Sequence, residues 1–235
     1  MTERDPVAHA LIVAAVAKEM LKVTDQYKAI RPIATCDMSP HAVHLYSSML
    51  TKVKADGRVT ARLVPHGNHQ PPDSYDETFA PCVADESKLL LVASFQAAAL
   101  QDELPLRLSD FDVPGAFLNI DLKSPRQIPI LLPKDLPHPL AGKTCEVLKA
   151  LYGLKQSNHL FTLDMTMTFL FTGFHPTPPD LCNFVRTDSV NPSLCCGVSM
   201  TVDDGLVVCT EPIFYDELLD VLTSKYGPMT QNDIC

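Results

Sequence analysis

Two adjacent aspartates, Asp203 and Asp204, interrupt the otherwise apolar run "TVDDGLVV" at 201–208. Like charges a few ångströms apart raise one another's pKa, so neighbouring carboxylates resist ionising together unless a cation neutralises them. Hard divalent ions take oxygen ligands, keep several waters and complete their shell with a substrate phosphate. A divalent-metal site is therefore the first chemistry to consider. The same residues also suit a tight turn, because Asp-Asp-Gly between "GVSM" and "LVVC" has the composition of a hairpin tip. The two readings are compatible, since a hairpin tip presents its side chains. A second acidic strand end lies upstream, where "LSDFDVPGAF" carries Asp110 and Asp112. Asp110 by itself reads as a solvated strand-end charge. Two carboxylate-bearing strand ends that converge, however, can hold two metals across the attacking and leaving oxygens of a phosphoryl displacement.

The other metal-binding residue types carry less. The eight cysteines include no C-x-x-C pair and no Cys/His spacing of a zinc site, so no zinc is expected and the thiols read as free and buried. His41 with His44, and His66 with His69, are three residues apart without a partner motif and read as exposed loop histidines.

These residues must be positioned by a folded scaffold, and the composition supports one. At 235 residues, 46% hydrophobic and 20% charged, the chain has room for one large or two small domains with a real core. The apolar stretches "HALIVAAVA" and "LLLVASFQAAAL" are too short or interrupted to span a bilayer, so no membrane partner is expected. Met1 is followed by "TERDP" rather than a secretion signal, which argues for an intracellular protein. The net charge of −9 does not advertise nucleic acid, because phosphate-binding surfaces normally carry excess Lys and Arg.

Along the chain, residues 7–23 read as a helix and 24–42 as a Pro-containing connector. Two strands joined at Asp56-Gly57 follow, then a Pro-rich loop and a helix at 86–100. "PLRLSDFDV" reads as a strand ending in a carboxylate, "IPILLP" and "CEVLKAL" as short strands, and 155–171 as a long helix. The last third reads as strands "LCNFVR", "CCGVSMTV" and "LVVCT", with "DDG" as a turn, and a closing helix at 212–226. Helices mixed with mostly antiparallel strands predict an α+β fold.

In this frame five segments resemble successive blocks of the reverse transcriptase of copia-type long-terminal-repeat retrotransposons. They are "ARLVPHGNHQ" (61–70), "SYDETFAP" (74–81), "FDVPGAFLNIDL" (111–122), "ALYGLKQS" (150–157) and "TVDDGLVV" (201–208), in the family's order. The resemblance covers residues 50–230. It implies a right-hand polymerase with an N-terminal region over 1–42, fingers over 43–105 and a palm over 106–235, its antiparallel sheet backed by helices and its thumb absent. It assigns Asp112, Asp203 and Asp204 as catalytic metal ligands for Mg²⁺, with Mn²⁺ as a substitute; Asp112 and Asp203 are the main ligands and Asp204 the weaker one. The backbone of Gly115 and Ala116 would face the incoming triphosphate, and Phe117 would exclude a 2′-hydroxyl. Gln156 would touch the nucleotide, and Arg62 would offer a cation to its phosphates. The implied partners are an RNA/DNA primer-template, deoxynucleoside triphosphates and other polyprotein domains (thumb, RNase H, integrase).

The chain departs from the family at informative places. Thr201 replaces an aromatic residue, Pro114 a lysine and Asn158 an arginine, while Thr60 and His66 stand where cations are usual. The expected function is RNA-directed DNA polymerase as a polyprotein fragment. The alternative is a catalytically inactive, degenerate remnant acting at most as a protein-binding module. An unrelated metal-dependent phosphohydrolase is disfavoured by the ordered blocks.

Overall fold

The computed structural model describes residues 6–234. The first five residues of the region expected over 1–42, and the eighth cysteine, Cys235, lie outside the described residues. In chain order the elements are α1 (Pro6–Leu21), β1 (Ile30–Pro32), β2 (Leu45–Val53), β3 (Val59–Pro65), α2 (Asp85–Gln101), β4 (Arg107–Asp112), β5 (Pro129–Leu131) and β6 (Thr144–Val147). They continue with α3 (Ser157–Phe171), β7 (His175–Thr177), β8 (Asp180–Thr187), β9 (Cys195–Thr201), β10 (Asp204–Cys209), α4 (Pro212–Tyr226) and β11 (Thr230–Asp233). This is the α+β composition expected from the sequence.

The chain folds into two interleaved compact units. One comprises the residues up to Phe79 together with Phe117–Leu160; the other comprises Ala80–Ala116 together with Phe161 onward. These units, built by sheet pairing between segments far apart in sequence, are compact bodies and leave the division into 1–42, 43–105 and 106–235 as a proposal about polymerase regions.

The first unit holds a five-stranded sheet in the order β1-β6-β5-β2-β3, antiparallel except for the parallel β2–β5 pair. Helix α1 packs on β3 through Val16 and Met20, and these join Ile30, Leu45, Leu63, Ile130 and Val147 in one buried core. The β2–β3 hairpin forms where expected, but its loop is wider than a two-residue Asp-Gly turn. Lys54 N donates to Arg58 O and Gly57 N to Lys54 O, leaving Asp56-Gly57 inside a longer loop. The connector expected at 24–42 contains the short strand β1, whose partner β6 lies far along the chain. Three residues including Pro32 carry no periodicity for local reasoning to find.

Two loops of this unit meet backbone to backbone. Gly153 has φ +104°, and a Cβ there would sit 2.5 Å from the Pro65 carbonyl oxygen; a Cβ on Gly67 would in turn collide with the Gly153 carbonyl. Only glycine permits that approach at that dihedral. The contact seats "LYGLKQ" against the end of β3.

The second unit holds a six-stranded antiparallel sheet in the order β11-β4-β10-β9-β8-β7. Helix α2 covers one face: Leu91, Phe95 and Ala99, four apart, are its buried residues, and Leu91 and Phe95 pack with Leu108, Val208 and Cys195. Helix α4 covers the opposite face. Its buried positions Phe214, Tyr215, Leu218, Leu219, Leu222 and Tyr226 form a single apolar stripe. The helix starts as physical chemistry prefers, with Pro212 in the first turn and the Glu211 side chain accepting from Ile213 N. Strand β11, absent from the sequence reading, covers the open edge of β4.

Replacing Gly153 by Ala should destabilise the protein by about 1–3 kcal/mol, because the added methyl meets backbone and not a side chain that can swing away. Urea denaturation should show a lowered midpoint with an unchanged slope.

Candidate functional site

The acidic hairpin owes its shape to β4, β9 and β10. Strands β9 and β10 pair in unbroken register from Cys196–Cys209 to Thr201–Asp204. The turn residues are therefore Val202 and Asp203, and Asp204-Gly205 already belong to the strand. This corrects the reading of "DDG" as the turn itself. The positive φ falls on Val202, at +57°, a β-branched residue for which that region is strained. Gly205 is needed for a different reason. It lies opposite Phe111 on β4, and a Cβ there would collide with the Phe111 ring. The glycine lets a core aromatic pass beneath the acidic strand end.

On β4, Asp112 is the direct cross-strand partner of Asp204, and Asp110 is the partner of Leu206. Side chains alternate along a strand, so Asp110, Asp112 and Asp204 share the sheet face that α2 covers further along at Leu108 and Val208. Asp203 stands at the tip, where its carbonyl accepts from Val113 N at 3.0 Å. The Asp204 carboxyl is pushed above the usual carboxylate range. Partial desolvation is the largest cause, followed by the negative charges of Asp203, Asp112 and Asp110 and a hydrogen bond with Asp112. Asn232 of β11 donates to Asp110 Oδ1 at 2.8 Å, tying that carboxylate to the sheet edge.

The residues assigned to nucleotide binding divide between the two units. Gly115, at φ +62°, and the fully buried Ala116 follow β4 in the second unit. Arg62, Phe117 and Gln156 belong to the first. There, the exposed Arg62 guanidinium lies 3.7 Å above the Tyr152 ring, and the buried Phe117 ring lies 4.5 Å from the same ring at 51°. Tyr152 thus links two of the expected residues by a cation–π contact and an aromatic pair. Its place inside "ALYGLKQS" was the signal, but a lone tyrosine beside a glycine shows no partner in sequence. Gln156 is 2% exposed. Its Oε1 accepts from Gln70 Nε2 at 3.0 Å, while Gln70 Oε1 accepts from Lys155 N at 2.9 Å. Lys155 Nζ reaches Gln70 O at 2.9 Å and lies 5.0 Å from the Tyr75 ring centre. Gln156 therefore sits in a buried amide network joining "GNHQ" to "GLKQ", its Nε2 finding no hydrogen-bond partner among the described residues. Among the expected loop histidines, His41 and His44 are exposed, whereas His66 is half-buried with its Nε2 2.8 Å from Ser48 Oγ.

Among the described residues, no group of three or more His, Cys, Asp or Glu side chains forms a ready-made metal cage. The donor set nevertheless fits a hard divalent ion. Partial desolvation and the charges of Asp203, Asp112 and Asp110 push the Asp204 carboxyl up, a cation there would relieve the same repulsion, and Mg²⁺ is commonly held by one or two carboxylates with waters and substrate phosphates. Among the described residues Cys145, Cys182, Cys195, Cys196 and Cys209 are buried free thiols, whereas Cys36 and Cys82 are exposed, which corrects the reading of all the thiols as buried. No helix is long and apolar enough to cross a membrane among the residues described.

Residues 20–230 match the family described as reverse transcriptase (RNA-dependent DNA polymerase). The chain is similar to the retrovirus-related Pol polyproteins from transposons RE1 and RE2 of Arabidopsis thaliana. It is 31% identical to the first over 185 residues, 75% of this chain, and 29% identical to the second over 192 residues, 78% of this chain. It spans 12% of the length of each polyprotein. Among solved structures, a Candida albicans telomerase in complex with a fragment of telomeric RNA matches 92% of this chain and 45% of its own, with a TM-score of 0.53 and 8% identity. That likeness is one of fold.

Asp204's folded pKa lies above its unfolded value. Its protonated carboxyl therefore favours the fold at pH below the unfolded value, and that contribution is lost as pH rises through the raised folded pKa. Asp204→Asn should raise metal-free stability at neutral pH by about 1 kcal/mol or less, given solvent screening. Thermal melts should show the gain vanish below about pH 4, where the wild-type carboxyl is protonated anyway.

Proposed function

Because the chain belongs to the reverse transcriptase family, as found in copia-type retrotransposons, we propose that it is the fingers-and-palm portion of an RNA-directed DNA polymerase carrying out two-metal nucleotidyl transfer. The observation that carries this reading is the direct pairing of Asp112 with Asp204 at the end of a packed sheet, beside the Asp203 tip. Asp112 and Asp203, with Asp204, would hold Mg²⁺ or Mn²⁺. When bound, the metals lower the pKa of a primer 3′-hydroxyl and neutralise charge on the reacting phosphate and the pyrophosphate leaving group.

The chain's own residues supply the rest. The three carboxylates fix where divalent charge can gather, and the sheet beneath them sets their spacing before substrate arrives, which is the preorganisation that phosphoryl transfer requires. Gly115 and Ala116 offer backbone amides to the triphosphate. Arg62, its guanidinium 3.7 Å from the Tyr152 ring centre, would present a planar cation suited to phosphate oxygens. Phe117, whose ring packs against Tyr152, would exclude a 2′-hydroxyl. Gln156 is buried with Gln70 and so acts on the nucleotide by shaping the loop that carries Tyr152. The partners are a primer-template, deoxynucleoside triphosphates and the thumb, RNase H and integrase domains of a polyprotein.

A second reading, a folded remnant without catalysis, is favoured by Thr60, Pro114 and Asn158 standing where the family carries cations. Phosphate contacts supply most nucleic-acid affinity, so their loss weakens template binding.

Extension of a primed RNA template separates the two readings. The polymerase reading expects incorporation that requires Mg²⁺ or Mn²⁺ and falls to background in Asp112→Asn. It also expects a metal-dependent rise in melting temperature in wild type that Asp112→Asn lacks. Folded protein with neither response is the remnant. Where extension is measurable, Phe117→Val should raise ribonucleotide relative to deoxyribonucleotide incorporation. Truncation of a purely structural phenylalanine would instead lower stability, by about 3–5 kcal/mol for Ala, with discrimination unchanged.

A further inference from the structure

The buried cysteines of the second unit play no part in the proposed chemistry, yet two of them are placed with care. Cys196 on β9 and Cys209 on β10 are direct cross-strand partners, and both are fully buried. Residues opposite one another in an antiparallel pair alternate between hydrogen-bonded and non-hydrogen-bonded positions. The neighbouring pair, Cys195 with Thr210, is a hydrogen-bonded one, since Thr210 N donates to Cys195 O at 2.9 Å. Cys196 and Cys209 therefore occupy a non-hydrogen-bonded position, where Cα atoms lie about 4.5 Å apart and side chains approach most closely. That separation falls inside the disulfide range of roughly 4.4–6.8 Å. Cys195 points to the other face, with its Sγ 3.6 Å from Thr210 Oγ1 and its neighbours Leu91 and Phe95, so it does not compete.

We infer that Cys196 and Cys209 are a dithiol that hydroperoxides oxidise to a cross-strand disulfide, stapling β9 to β10 at the end of the hairpin opposite the aspartates.

The surroundings distinguish the two sulfurs. Cys209 accepts a hydrogen bond from the Cys196 thiol and lies near Arg107, its partner on β4; both effects lower its pKa, against the opposing influence of burial, Asp216 and Glu211. Cys196 is pushed well up, chiefly by burial, with Arg186 only partly offsetting this. Cys209 is thus the nucleophile. Its thiolate attacks one oxygen of the hydroperoxide, the O–O bond breaks, and hydroxide leaves to give a sulfenic acid on Cys209. The Cys196 sulfur then attacks the Cys209 sulfur, the S–O bond breaks, and water leaves with the Cys196 proton. In sum, two thiols lose two electrons and two protons, and hydrogen peroxide becomes two waters. Hydrogen peroxide is close to water in size, which suits a pair buried beneath α4; bulky disulfide oxidants do not suit it.

The test uses the full chain with Cys36→Ser and Cys82→Ser, which remove the exposed thiols among the described residues, and with Cys235→Ser. Folded protein is treated with limiting hydrogen peroxide, blocked with an alkylating agent, digested and mapped by mass spectrometry. The expected product is a cross-linked peptide pair joining Cys196 to Cys209, two hydrogens lighter than the separate thiols. It should come with a melting temperature raised by several degrees, because closing the loop restricts the unfolded chain, and a reductant should reverse both changes. Cys195→Ser should retain the cross-link; Cys196→Ser should lose it and trap sulfenic acid on Cys209. The wild-type map decides even if a variant fails to fold. Oxidation confined to Cys195 or other thiols, or Cys209 over-oxidised with Cys196 still alkylated, would overturn the inference.

Discussion

Two negative charges held directly across adjacent strands are the constraint on which the second unit is organised. Asp112 and Asp204 face one another because the β4–β10 register aligns them, and partial desolvation together with the charges of Asp203, Asp112 and Asp110 pushes the Asp204 carboxyl up. A flexible hairpin would relieve that repulsion by swinging apart. This one is anchored. Phe111 packs beneath Gly205, Tyr215 lies 6.5 Å from Phe111 on the α4 side, and the Asp203 carbonyl is bound by Val113. The hydrophobic layers on both sheet faces thus hold the carboxylates where water alone would let them separate. Such stored repulsion is relieved by a proton or by a cation, which makes the site responsive to both.

The edge of the sheet bears on the same balance. Arg107, at the far end of β4 from the aspartates, is engaged by Asp233 at 3.1 Å and Asp216 at 3.6 Å and stacks 5.2 Å from the Tyr215 ring centre. Its charge is thereby held at the opposite end of the strand, next to Cys209. Strand β11 adds the Asn232 amide to Asp110, so the acidic end of the sheet is tied to the edge strand by a hydrogen bond.

In the first unit the corresponding constraint is steric. The approach of Gly153 to Pro65 and Gly67 leaves no room for side chains between two backbone segments. That contact puts Tyr152 within reach of both Arg62 and Phe117, and the Gln70–Gln156–Lys155 network fastens the same two segments a few residues on. The Gln70–Gln156 and Gln70–Lys155 hydrogen bonds are made only when both segments are docked, so the arrangement favours one loop geometry over its neighbours.

The elements themselves were largely legible in the amino-acid sequence. Helices at 86–100, 155–171 and 212–226, and strands around 181–186, 195–202 and 206–210, rest on periodicities that side-chain burial rewards locally, and each formed within a few residues of its expected span. The acidic strand ends at Asp110–Asp112 and Asp203–Asp204 stood out as well, because apolar surroundings make acidic residues conspicuous, while the choice of Asp112, Asp203 and Asp204 came from the family resemblance. The pairings were not. That Asp204 and not Asp203 stands opposite Asp112, that Val202 takes the strained turn position, and that Cys196 meets Cys209 all depend on strand register, which is set by packing across the whole sheet. Tyr152 linking Arg62 to Phe117, and Gln156 turned inward to Gln70, likewise required distant segments to be docked first. Composition and spacing determined which residues could do chemistry; only the tertiary structure decided which of them touch, because that depends on contacts between segments that carry no information about one another until the chain has folded.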